Sequence, residues 1–116
     1  MDSTKSALKQ LKIKTGSLNR NVKDYLSYVK EKVKQEEALE KLKLDCDDEG
    51  KIRQGMDVIA DTIQMLPNCQ GRINGSVEDL KAIMEDNAGS EAIIASEEWA
   101  AAQACMAAAL AFLESI

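Results

Sequence analysis

The chain contains no histidine. That removes the commonest general base, the commonest metal ligand and the one side chain that titrates near neutrality. A Ser/His or Cys/His nucleophile system therefore cannot be assembled. No glycine-rich loop of the phosphate-cradling kind is present either. Aromatic residues are limited to Tyr25, Tyr28, Trp99 and Phe112, so a core must be built from aliphatic side chains. No apolar run reaches membrane-spanning length free of charge, since the Ala-rich C-terminal segment follows Glu97-Glu98. The N-terminus is polar and charged, which argues against a secretory signal. Cys46, Cys69 and Cys105 are odd in number and far apart, as suits reduced thiols in the cytosol rather than a disulfide framework.

What is present in quantity is Ala, Leu, Lys, Glu and Gln, the helix formers. At 116 residues a single domain spanning 1–116 is expected. The only proline, Pro67, sits inside the longest apolar stripe: Ile52, Met56, Ile59, Ile63, Leu66, Ile73, Val77, Leu80 and Met84. The steps alternate four and three, broken only at Gln70, and a strand cannot produce that series. Proline lacks a backbone donor and its ring collides with the carbonyl four residues earlier. Two short helices with a corner would answer that conflict. The stripe keeps phase across Pro67, however, and no turn dipeptide adjoins it, so the sequence predicts one helix over about 50–86, kinked at Pro67.

Before it, a first helix is expected over roughly 4–44, with Ser3 or Ser6 as N-cap. Its seam reads Leu8, Leu11, Thr15, Leu18, Val22, Tyr25 and Val29, then slips to Val33. Gln35, Glu36 and Glu37 leave the seam bare before Leu39 and Leu42. Asp45-Cys46-Asp47-Asp48-Glu49-Gly50 then imitates the start of a calcium loop. Met56 stands where that loop needs a bidentate glutamate, so the favoured reading is an acidic turn that caps the next helix. Gly55, Gly71 and Gly75 either permit close approach of a neighbour or allow bending around Pro67. A third helix is expected over about 90–115, with Ala92, Ala95, Trp99, Ala102, Met106, Ala109, Leu113 and Ile116 in phase, and Trp99 as its one large core anchor.

Three amphipathic helices with short links predict an all-α, elongated antiparallel three-helix bundle. At 1.5 Å per residue the third helix is about two-thirds as long as the first, so a two-helix overhang is expected beyond its end. Charge divides along the chain. Residues 1–44 hold 11 Lys and Arg against 6 Asp and Glu, residues 45–89 hold 4 against 10, and residues 90–116 hold 0 against 4. One basic helix beside two acidic ones favours internal complementarity, and an acidic chain lacks the footprint of a nucleic-acid binder.

Several segments resemble tubulin-binding cofactor A. In the first helix they are Leu11-Lys12-Ile13-Lys14-Thr15-Gly16, Val22-Lys23, Tyr28, Lys30-Glu31, Gln35-Glu36-Glu37 and Leu39-Glu40-Lys41. In the second they are Met65-Leu66-Pro67-Asn68-Cys69-Gln70, Arg72-Ile73, Asp79-Leu80-Lys81 and Ile83. The resemblance covers Leu11 to Asp86, and the third helix is similar only in character. Gly71 and Gly75 stand where the family usually carries larger or basic residues. The resemblance implies a three-helix cytosolic chaperone, associated with the cytoskeleton, that captures β-tubulin leaving the chaperonin and passes it toward the heterodimer. It implies no cofactor, no metal, no catalytic residue and no membrane or nucleic-acid partner. Monomer and homodimer both stay open.

Binding is then expected through helix faces. With the seam of the first helix inward, Lys9, Lys23 and Lys30 form one outward row, and Ile13, Arg20, Ser27 and Lys34 the row beside it. Lys12 and Lys14 lie at the flanks. Acidic Glu31, Glu36, Glu37 and Glu40 on the overhang form a second candidate surface. A solvated charged face is the plain alternative for each of these residues. At the level of function, the competing class is a coiled-coil scaffold or assembly adaptor that acts by self-association.

Overall fold

Apolar residues that return every three or four positions share one face only in a helix. The computed structural model of the chain is helical along every such stripe, and it describes residues 2–45 and 48–116. Helix α1 is Asp2–Asp45, α2 is Glu49–Asp86, α3 is Glu91–Ile94 and α4 is Glu97–Ser115. No strand occurs among the described residues, and none of their helices is long and apolar enough to cross a membrane. The all-α class follows the sequence expectation.

The ends of the helices have identifiable causes. α1 starts upstream of Ser3 and Ser6, so both expected caps lie inside its first turns. The acidic turn caps α2 as expected: Asp48 Oδ1 accepts the Gly50 N–H at 2.9 Å and the Lys51 N–H at 3.3 Å. Cys46 and Asp47, two positions of the rejected calcium loop, lie outside the described residues. At the far end, the Asn87 side chain donates to the Ile83 carbonyl at 2.7 Å, satisfying an acceptor that the last turn leaves open.

α2 continues through Pro67 without a break, which excludes the two-helix alternative. The missing N–H deprives the Ile63 carbonyl of its usual partner. Pro67 and Ile63 are both exposed, so the lost bond falls on a face open to solvent.

The third helical stretch differs from expectation. It breaks at Ala95-Ser96 into the four-residue α3 and the longer α4. Ser96 is extended, with φ −79° and ψ 158°, and its Oγ accepts the Trp99 N–H at 3.1 Å while donating to the Ile93 carbonyl. Ser90 caps α3 in the same way, its side chain accepting from the Ile93 N–H. Two serine caps six residues apart stop one helix and start the next. The break resets the phase, so Ile93 is buried where Ala92 was expected.

The described residues fall into two compact units. The first joins the described part of Met1–Val22 to Gly71–Ile116, and the second is Lys23–Gln70. In the first unit three helical stretches share a core of Leu11, Leu18, Ile73, Val77, Leu80, Ile93, Trp99, Ala102, Cys105 and Ala109. Asn21 of α1 donates to Ser76 Oγ of α2 at 2.6 Å, and Lys14 pairs with Asp79 at 3.6 Å. In the second unit α1 packs against α2. Thr62 Oγ1 donates to Gln35 Oε1 at 2.8 Å, and Leu39 lies against Gly55.

That pairing corrects the expected stripe of α2. Gly55 and Thr62 face α1, whereas Met56 and Ile63 are exposed, as is Val33 on α1. The reason is fit: Leu39 fills the room a glycine leaves, and the Gln35 amide oxygen accepts from the Thr62 hydroxyl.

The glycines divide accordingly. A Cβ at Gly71 or Gly75 would meet nothing within 4 Å, whereas one at Gly55 would lie 3.0 Å from Leu39 Cδ1. Gly71→Ala and Gly75→Ala should each stabilise the chain by up to about 1 kcal/mol, the helix-propensity difference. Gly55→Ala should gain less or lose, because Leu39 has to shift. Urea unfolding of the three variants checks the order.

Candidate partner-binding faces

The ten residues singled out on α1 divide evenly between the units. Lys9, Lys12, Ile13, Lys14 and Arg20 belong to the first, and Lys23, Lys30, Glu31, Glu36 and Glu37 to the second. Helical repetition at seven residues sets Lys9, Lys23 and Lys30 on one row, and all three are exposed. Ile13 is 46% exposed, with Arg20 seven residues on. Arg20 extends toward Ser17 Oγ at 3.5 Å, a local contact that leaves most of its guanidinium free. Lys14 is different: it is half-buried and its charge is taken by Asp79. It belongs to the α1–α2 packing rather than to an open face.

Lys12 stands at the edge of a shallow cleft between α1 and α4, with Thr15, Glu97, Glu98 and Ala101. Glu97 and Glu98 occupy the first turn of α4, where carboxylates complement the helix dipole. In the second unit Glu31, Glu36 and Glu37 are exposed, and Glu31 accepts from Gln35 at 3.4 Å. Among the described residues no three His, Cys, Asp or Glu side chains are grouped closely enough to hold a metal ion.

Under these faces, α4 is held to α1 at Cys105. Its Sγ donates to Asn19 Oδ1 at 3.2 Å and approaches the Thr15 carbonyl at 3.7 Å. Burial pushes the Cys105 thiol above the ordinary cysteine range, so it stays protonated and remains a donor. The neighbouring Thr15 Oγ1 is buried with no hydrogen-bond partner.

Sequence reasoning missed two apolar features. One is a cleft of about 440 Å³ between α2 and α4, walled by Val77, Met84, Trp99, Met106 and Leu110. The other is the set of exposed apolar side chains in the second unit: Leu26, Val33, Leu44, Met56, Val58 and Ile63. Two signals pointed to the second: the slip at Val33, and Gln70, which shares a seven-residue row with Met56 and Ile63.

Long helices that present open charged and apolar faces, with shallow clefts between them, define a helical binding protein. Comparison with known proteins narrows the class. A profile of the family described as "Tubulin binding cofactor A" matches residues 6–106. Tubulin-specific chaperone A of Gallus gallus is 39% identical over 80 residues, 68% of this chain and 73% of the relative. The Rattus norvegicus protein of that name is 36% identical over 78 residues, 67% of this chain and 72% of the relative. The crystal structure of tubulin folding cofactor A from Arabidopsis thaliana superposes with a TM-score of 0.82 at 26% identity, covering 90% of this chain and 96% of that one. Human tubulin chaperone cofactor A gives 0.70 at 29% identity, covering 88% and 96%. The chain belongs to the tubulin binding cofactor A family.

Thr15 provides a test of the packing beneath these faces. Thr15→Val removes a buried hydroxyl without a partner and keeps the shape, so stability should hold or rise by about 1 kcal/mol. Thermal or urea unfolding reads the change, and a clear loss would reveal a partner for the hydroxyl.

Proposed function

We propose that this chain is a tubulin-folding cofactor that captures β-tubulin after its release from the chaperonin and holds it on the way to the heterodimer. The observation that carries the reading is the family match over residues 6–106, supported by likeness to cofactor A structures along nine-tenths of the chain. The work is binding in the cytoplasm, near the cytoskeleton, and asks no catalytic group of the chain.

The geometry supports a contact through the exposed rows of α1. Lys23 and Lys30 are both exposed, and neither is ion-paired among the described residues, so their charge is available to an acidic client such as β-tubulin. Ile13 adds an apolar contact beside that row. The competing reading, a scaffold acting by self-association as a homodimer, draws on the exposed apolar side chains of the second unit. A pull-down separates the two: tubulin as the main cytosolic partner supports the cofactor, and capture of its own copies alone supports the scaffold.

Lys23→Glu with Lys30→Glu leaves the buried residues untouched and should cost little stability, as for most surface changes. Capture of β-tubulin in gel filtration should weaken, and more than with alanine at both sites, because reversal adds repulsion. Capture by the unaltered chain should also weaken with salt, since exposed charges are screened over about 10 Å at 0.1 M. Lys51→Glu with Arg53→Glu makes the same change in net charge at the start of α2 and should leave capture intact. Equal loss from both pairs would point to net charge, and no loss from either would remove the lysine row from the interface.

A further inference from the structure

The second unit has two walls of a three-helix packing and no third helix of its own. Its α1 and α2 face each other along Gln35–Thr62 and Leu39–Gly55. With about 100° of turn per residue, Val29 and Val33 on α1 lie roughly 100–140° from that facing direction. Met56 and Ile63 on α2 lie roughly 90–110° from it, in the same rotational sense. Because the helices are antiparallel, equal sense on each puts both sets on one side of the pair. Val33 is 47% exposed, Met56 54% and Ile63 43%, while Val29 and Ile59 are half-buried.

These positions are not scattered. On α1, residues 15, 22 and 29 form one seven-residue row, and 19, 26 and 33 another. In the first unit Thr15 and Asn19, the first members of those rows, meet Cys105 of α4. In the second unit the same rows carry Val29, Leu26 and Val33. On α2, Met56 and Ile63 share a row with Val77 and Met84, which line the cleft against Trp99, Met106 and Leu110. Both helices of the second unit thus present apolar side chains on the rows that receive α4 in the first. Farther along α1 the two rows end in carboxylates: Glu36 is seven residues beyond Val29, and Glu40 seven beyond Val33, both exposed. Among the described residues Glu40 pairs with Lys43 one turn away, at 3.6 Å on an open surface.

We propose that this side of Lys23–Gln70 is a docking slot for an amphipathic helix of a partner protein. That helix is apolar along one stripe and carries Lys or Arg at the end that meets Glu36 and Glu40. It lies against Val29, Val33, Met56 and Ile63 and supplies the third helix that α4 supplies in the first unit. The identity of the donor as the client rests on the proposed function. The chemistry of the slot does not.

The probe is a fluorescent peptide of about 20 residues, long enough for a stable helix on binding, with a Leu/Ile stripe and a Lys/Arg-rich end. The full chain should bind it, and Val33→Ser with Ile63→Ser should weaken binding about tenfold or more, as loss of two buried aliphatic contacts requires. Both positions are exposed in the free chain, so circular dichroism and unfolding should be unchanged. Glu36→Lys with Glu40→Lys should weaken this peptide and strengthen one with a Glu-rich end. Leu110→Ser, in the other unit, should leave binding as it was. Equal binding by all variants, or loss only with Leu110→Ser, would overturn the slot. So would a chain that sediments as a dimer broken by Val33→Ser with Ile63→Ser and binds no peptide, since a second copy would then be the occupant. Peptide binding that follows these expectations in a chain unable to capture β-tubulin would support the slot and count against the proposed function.

Discussion

α4 lies on α1 through small side chains. Ala102 and Ala109 are buried, and Cys105 reaches α1 with a protonated thiol aimed at Asn19 and the Thr15 carbonyl. Side chains of that size let two helices approach closely, and Trp99 is the one large aromatic in this core. Where α4 is present, three strips of apolar surface find cover, and Leu11, Leu18, Ile73 and Leu80 are fully buried. Where it is absent, a helix pair has one shared strip, and the next apolar row on each helix faces water. On the proposal above, the difference between a closed unit and one open to a partner reduces to whether the unit contains a third helix.

This division explains two local choices that oppose intrinsic propensity. Gly55 and Thr62 are poor helix formers placed at the α1–α2 contact of the second unit, where Leu39 and Gln35 fit them. Better helix formers and larger apolar residues, Met56 and Ile63, sit beside them in solvent. Pro67 lies at an exposed position of α2, so its lost hydrogen bond falls on a face open to solvent. Apolar side chains left in water there are the ones the proposed docking slot would use.

The helices themselves were legible in the sequence because burial imposes a period of three and four that composition does not blur. The acidic turn was legible because Asp48 has the side chain a cap needs. What could not be read was the direction each face takes in the second unit. Hydrophobicity alone assigned Met56 and Ile63 to the interior, and only contact with Gln35 and Leu39 rotates Gly55 and Thr62 inward. The break before α4 was missed for a related reason. Ala95-Ser96 continues an Ala-rich run, and Ser96 becomes a cap only through its bonds to Trp99 and Ile93. The lysines and glutamates named on α1 are exposed, as periodicity leads one to expect, except Lys14, which is half-buried and pairs with Asp79.

The central claim is that Lys23–Gln70, the unit with two helices, is where a client is held. Two helices protect their amides less well than three, so in the free chain this unit should exchange faster than Gly71–Ile116. Hydrogen exchange followed by mass spectrometry, on the chain alone and in complex with β-tubulin, reads both segments at once. The account predicts that the client slows exchange most strongly in residues 23–70, on α1 and α2 together, with little change in α4. Protection confined to α4 and the adjoining half of α2, with residues 23–70 unchanged, would contradict it.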